Sequence, residues 1–171
     1  GGTYKNKKTG SFGIGCFSFF PTKNITTTEG GMLTTNNSKY FNYVKKLIAH
    51  GIEKNKKFPW KREAILPGHN FRMPNHLAAL GISQLKKLEF FNKKRNKIAN
   101  SYNEFLKKFP NIIEVQKVPK NIKHSYQMYT LRVKNNLRNS FLNFLNNNKI
   151  EASVHFYPPL HKQRYLSKFN K

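Results

Sequence analysis

Residues 10–31 read GSFGIGCFSFFPTKNITTTEGG. From Gly13 to Phe20 the side chains alternate, with Phe17 and Phe19 on one face and Cys16, Ser18 and Phe20 on the other, the pattern of a strand. Pro21 ends it. Lys23 therefore follows a strand end and precedes a Thr/Gly-rich turn, the position at which cofactors commonly bind in α/β sheets. A lysine there can form a Schiff base, because partial burial favours the neutral amine that attacks an aldehyde. Ser18, five residues earlier, could offer its hydroxyl to a phosphate at the same site. Taken alone, Lys23 is one of 26 lysines, and an unpaired lysine is mostly a solvated surface charge. Gly10, Gly13 and Gly15 do not make a dinucleotide-binding loop, since their spacing is wrong and no helix follows.

Outward from this stretch, residues 31–35 (GMLTT) read as a second short strand. Asn36, Asn37 and Ser38 supply turn and N-cap chemistry for a helix ending at Gly51, with Phe41, Val44, Leu47 and Ile48 at helical spacing. Residues 51–73 have no clear period and form the longest irregular segment, a length more often functional or mobile than inert. From about residue 75 to 109, Leu77, Leu80, Leu85, Leu88, Phe91, Ile98, Tyr102 and Phe105 fit one amphipathic helix between Pro74 and Pro110, roughly 50 Å long and suited to linking two lobes. Beyond it, residues 112–116, 126–133 and 152–156 read as strands and 137–148 as a helix, together a small α/β lobe.

The chain has 171 residues and a net charge of +25, a length for one ordinary domain or parts of two. A 37% hydrophobic fraction with 15 Phe and 8 Tyr can build a core. No apolar run is long enough for a membrane span, and residues 1–5 lack the apolar run of a secretory signal, so a soluble protein of the cytoplasm is expected. The single Cys16 rules out a disulfide framework and multi-cysteine zinc patterns, and the histidines lack HExxH-type spacing, so no metal is expected. Basic residues are 26 Lys against 6 Arg, accompanied by 22 Asn, and they are spread rather than clustered. That argues against a nucleic-acid partner, which is served by clustered, Arg-rich surfaces; a basic module binding nucleic acid or an anionic surface is the alternative the charge leaves open. All seven acids are Glu, at positions 29, 53, 63, 89, 104, 114 and 151, and the chain contains no Asp.

The segment from Gly10 to Gly31 resembles the cofactor-lysine segment GSFGxxxCFSFxPTKNxTTxEGG of the DegT/DnrJ/EryC1/StrS sugar aminotransferases. The resemblance continues through residues 67–73 (PGHNFRM, similar to the family's GYNYRM), through Ala78-Ala79-Leu80-Gly81 and Gln84-Leu85, and through residues 153–161 (SVHFYPPLH, similar to SVHYxPLH). It thus covers nearly the whole chain. Departures are His69 where the family usually has tyrosine, Pro74-Asn75 where many members have Thr/Ser-Asp, and a run Gly13-Ile14-Gly15-Cys16 one residue short and without its usual acid.

What the resemblance implies is an α/β chain forming the C-terminal part of a fold-type I, aspartate aminotransferase-like enzyme dependent on pyridoxal 5'-phosphate. Residues 1–85 would be the end of the large cofactor-binding domain and 86–171 the small domain, joined by the helix of about 75–109. It implies that Lys23 carries the cofactor as a Schiff base and shuttles the substrate proton. It further implies that Ser18 binds the cofactor phosphate, and that Asn70 reaches the phosphate of a neighbouring subunit in a homodimer. His155 matches a histidine on the sugar side; alternation alone leaves it open between that role and a half-buried strand histidine. The reaction implied moves an amino group from glutamate to a keto-sugar nucleotide, in the synthesis of amino sugars for cell-surface polysaccharide. Lys23, where some members have histidine and act as dehydratases, points to transamination. The chemistry also needs an acid on the pyridine nitrogen. The family supplies it as an Asp upstream of the segment matched here, so the chain is expected to be truncated and inactive alone.

Overall fold

The computed structural model describes residues 1–55 and 57–169. In chain order the elements are β1 (Thr3–Tyr4), β2 (Lys7–Lys8), β3 (Ile14–Ser18), β4 (Gly31–Thr35), α1 (Ser38–Leu47), β5 (Ile52–Lys54), β6 (Arg62–Ala64), α2 (Asn75–Leu106), β7 (Ile113–Val115), β8 (Ile122–Lys123), β9 (Leu131–Val133) and α3 (Arg138–Asn147), followed by two short 3-10 turns. They fall into two compact units, residues 1–104 with 117–129, and residues 105–116 with 130–171. No helix among the described residues is long and apolar enough to cross a membrane.

In the first unit β3 pairs antiparallel with β4, Cys16 opposite Leu33 and Ser18 opposite Gly31. The alternation read from the sequence is the one observed: Gly15, Phe17 and Phe19 turn inward, while Cys16, Ser18 and Phe20 are exposed. Gly15 lies so close to the Gly10 backbone and Thr34 Oγ1 that no side chain fits there. The β3–β4 connection, residues 19–30, carries Lys23. At the N-terminus β1 joins β2 through Lys5 and Asn6, both at positive φ (46° and 63°), the two-residue turn that matches strand twist. This hairpin is extended by β8 into the order β2-β1-β8.

Helix α1 begins where Asn37 Oδ1 accepts the N–H groups of Lys39 (2.9 Å) and Tyr40 (3.3 Å), and Lys45 and Lys46 face its negative end. It stops at Leu47 instead of Gly51. Gly51 closes the following turn, its N–H bonding to Lys46 O at 2.9 Å with φ at 70°. A Cβ on Gly51 would run into the carbonyl of Leu66. Replacement by alanine therefore adds left-handed strain and a backbone clash, about 3 kcal/mol together. Gly13, also at positive φ but facing open space, incurs only the strain. In thermal unfolding of the complete polypeptide, Gly51→Ala is expected to lower the midpoint by several degrees more than Gly13→Ala.

The irregular segment after Gly51 contains a hairpin the sequence did not announce. Strands β5 and β6 pair with Glu53 opposite Glu63, and Glu53 forms an ion pair with Lys46. Three-residue strands rich in charge leave no apolar alternation to read.

Helix α2 has the expected start and nearly the expected length, but its covered side differs from the predicted stripe. Leu77, Leu88 and Phe91 are half-buried and Asn92 and Ala99 are buried. Leu85, Ile98, Tyr102 and Phe105 are 49–59% exposed. The predicted stripe is broader than the covered face: Leu77, Leu88 and Phe91 belong to both, while Leu85, Ile98, Tyr102 and Phe105 are left open.

In the second unit β7 pairs antiparallel with β9, Ile113 opposite Val133, and Ile113 is buried. The strand expected over 126–133 shrinks to Leu131–Val133. Tyr126, at φ 42°, turns its N–H onto His124 Nδ1 (3.1 Å) and bends the chain before the ladder begins. The strand expected over 152–156 does not form. Ala152 and Val154 are half-buried in irregular backbone, a turn begins at His155, and the Ala152 N–H goes to Asn146 Oδ1 (3.1 Å).

Among the described residues Ala99 and Ile113 are the buried hydrophobic side chains. The accessible surface is 14260 Å², whereas two separate compact bodies of these sizes would expose about 10,000 Å².

Candidate functional site

The Lys23 loop is built from short polar bonds rather than from packing. Ser18 ends β3, and its Oγ accepts the N–H of Phe20 (3.3 Å); Phe20 O in turn accepts the N–H of Lys23 (3.0 Å). Two hydrogen bonds thus link the Ser18 hydroxyl to the lysine backbone. The hydroxyl proton remains available for an incoming anion. On the far side of the loop Thr26 Oγ1 donates to Phe19 O (2.8 Å) and accepts the Thr28 N–H (2.9 Å), while Thr27 Oγ1 donates to Glu29 O (2.6 Å). Thr27 is buried at 1% exposure. A Cβ on Gly81 of α2 would meet its methyl at 2.9 Å, so the glycine lets the helix approach this closely.

The residues on either side of the lysine are tied to distant chain. Asn24 Nδ2 donates to Asn92 Oδ1 on α2 (2.7 Å) and to Ser125 O (2.9 Å). Gln127 Nε2 donates to Thr22 O (3.0 Å). The segment that supplies Ser125 and Gln127 is itself held to α2, where Asn96 Nδ2 donates to His124 O (3.1 Å), and Tyr129 Oη donates to Asn103 Oδ1 (2.6 Å). Burial, with Tyr126 and Tyr102 close by, raises the Tyr129 phenol above its ordinary pKa, which keeps it a donor. Lys23 itself is half-buried, and among the described residues its amine has no hydrogen-bond or ion-pair partner. A fixed backbone carrying an uncommitted amine suits nucleophilic attack on an aldehyde, and the nearby hydroxyl suits an anionic group. These residues fit pyridoxal phosphate.

The other two sequence-derived candidates are Asn70 and His155. Asn70 bridges Ala49 in the first unit, is exposed, and accepts from Arg72 Nε (3.3 Å). His69 beside it stacks on Phe71, the ring centroids 4.7 Å apart. His155 belongs to the second unit, is exposed, and lies against Phe156 at 3.6 Å between centroids. The sequence reading missed Asn24, Asn92, Thr27 and Gln127. Asn24 stood inside the quoted motif, and Asn92 interrupts an apolar side of α2 one turn from Leu88 and two from Ala99.

Comparison with known proteins places this arrangement. The sequence model of the DegT/DnrJ/EryC1/StrS aminotransferase family matches residues 1–171. The UDP-4-amino-4,6-dideoxy-N-acetyl-beta-L-altrosamine transaminase of Helicobacter pylori is 35% identical over 99% of this chain and 46% of its own length. The GDP-perosamine synthase of Escherichia coli O157:H7 is 33% identical over 100% of this chain and 46% of its own. Among solved structures, the Helicobacter pylori aminotransferase involved in the biosynthesis of pseudoaminic acid superposes with a TM-score of 0.90 at 32% identity, covering 99% of this chain and 46% of that one. The chain spans about half the length of the curated relatives it matches. The α/β fold is that of the fold-type I transferases, as expected from the motif.

Proposed function

This chain belongs to the DegT/DnrJ/EryC1/StrS aminotransferase family, whose members depend on pyridoxal phosphate, and on that premise we propose that it works as the C-terminal part of a sugar aminotransferase. The large-domain portion is taken to end near residue 85 and the small domain to begin there. The substrates are a keto-sugar nucleotide and an amino donor, glutamate, and the setting is amino-sugar synthesis in the cytoplasm. The single observation that carries the reading is the half-buried amine of Lys23, without a described partner, on a loop whose backbone is fastened on both sides.

Pyridoxal phosphate, when bound, supplies an aldehyde for an amine and a ring that draws electrons from the substrate carbon. Lys23 holds the cofactor through Nζ and afterwards takes and returns the substrate proton at the same atom. Ser18 Oγ donates to the phosphate. Asn70, with free amide donors on an exposed edge, serves the phosphate of a second subunit, which makes a homodimer the working form. His155 orients the sugar. The acid that faces the pyridine nitrogen is taken to come from outside this chain, since the resemblance makes it an Asp and no Asp is present.

The test is reductive trapping. The complete polypeptide is incubated with pyridoxal phosphate, reduced with borohydride and mapped by peptide mass. One pyridoxyl adduct on the Lys23 peptide is the expected result; modification scattered over other lysines, or none, would overturn the reading.

A further inference from the structure

We propose that Asn92 is a positioning residue for Lys23, acting through the side chain of Asn24. The proposal rests on the aminotransferase reading, which makes the pose of Lys23 matter. Asn24 follows Lys23 directly, and its Nδ2 is spent on two acceptors, Asn92 Oδ1 (2.7 Å) and Ser125 O (2.9 Å). An amide with both hydrogens engaged cannot rotate without losing one, so the chain immediately after the lysine is held in one orientation. Asn92 is 2% exposed, and a hydrogen bond shielded from water is stronger than one on the surface. Helix α2 also fixes the second acceptor. Asn96 Nδ2 spans Asn92 O (2.9 Å) and His124 O (3.1 Å), locking to the helix the segment that presents Ser125.

Among the described residues Asn92 Nδ2 has no hydrogen-bond partner, and it lies beside Gly1. The satisfied half of the amide has one target, the residue after Lys23. Asp at position 92 would keep that acceptor and remove the orphaned donor; Leu would remove both.

The experiment uses the complete polypeptide with Asn92→Leu, Asn92→Asp and Asn24→Asp. Two quantities are read: hydrogen exchange at the Lys23, Thr27 and Thr28 amides without cofactor, and the rate of borohydride-trappable modification of Lys23 by pyridoxal phosphate. Asn92→Leu and Asn24→Asp are expected to speed exchange and slow modification by roughly tenfold, the scale of one lost hydrogen bond. Asn92→Asp stays within about twofold on both, since its acceptor is retained. Leu at position 92 leaves one Asn24 hydrogen without its acceptor, so a fall of a few degrees in the thermal midpoint is expected; faster exchange confined to the Lys23 loop separates loosened positioning from a general loss of stability. Exchange and modification unchanged in Asn92→Leu would overturn the proposal, as would Asn92→Asp behaving like Asn92→Leu. Should Asn92→Leu fail to fold, the contrast between Asn24→Asp and Asn92→Asp decides by the same criterion. If the unsubstituted polypeptide is not modified at Lys23, the aminotransferase reading falls, while the exchange rates still decide whether Asn92 fastens the loop.

Discussion

Lys23→Ala in the complete polypeptide is expected to lower transamination by about 10⁴-fold, the upper range for a positioned acid–base group that here is also the covalent anchor. The visible band of the bound cofactor should shift at the same time to that of the free aldehyde. The expectation follows from the economy of the loop. Among the described residues no other group shares the Lys23 amine. Lys23→Arg separates charge from chemistry: it keeps a cation for the phosphate but supplies no amine that condenses with an aldehyde. It should therefore retain cofactor affinity better than alanine while recovering no turnover. A small primary amine added to the alanine variant should restore part of the proton transfer. Turnover within tenfold of the unsubstituted enzyme in either variant would remove Lys23 from the chemistry.

Residues 1–171 expressed by themselves are expected to show no cooperative thermal transition, to bind a hydrophobic dye and to give no cofactor-dependent turnover. The accessible surface exceeds that of two compact bodies of these sizes by roughly 4,000 Å². Whole domains are only marginally stable, so apolar surface left uncovered on that scale decides the outcome. The exposed positions are specific: Ile82, Leu85, Ile98 and Tyr102 along α2, and Phe41, Met32 and Phe71 around the groove beside β4 and α1. Supplying the remainder of the polypeptide should restore a single sharp transition. A two-state calorimetric melt from the isolated monomeric chain would refute this.

The sequence made the frame of the candidate loop legible because its signals are local. Alternation over residues 13–20 placed Ser18 at a strand end, and the turn after Pro21 placed Lys23 beyond it. Helices α1 and α2 were readable for a similar reason: Asn37, Pro74 and the apolar spacing are signals within one or two turns. The stripe read on α2 was too broad. Leu77, Leu88 and Phe91 are covered with Asn92 and Ala99 while Leu85, Ile98 and Tyr102 are open, and periodicity cannot tell which part of a wide apolar stripe this chain covers. The β5–β6 hairpin escaped because Glu53, Lys54, Arg62 and Glu63 give charge in place of alternation. The expected strand at 152–156 alternated correctly as far as His155 but had no partner to bond. Asn92 was invisible in principle, since an asparagine on an otherwise apolar side gains meaning only once Asn24 is seen opposite it.

The fastenings of the lysine loop reach far along the chain, from Asn24 to Asn92, 68 residues on, and from Thr22 to Gln127, 105 residues on. During synthesis Lys23 therefore emerges long before the residues that fasten its loop. A ribosome must pass residue 127 before the loop can close, so on the proposed reading any capture of an aldehyde waits for the surrounding fold.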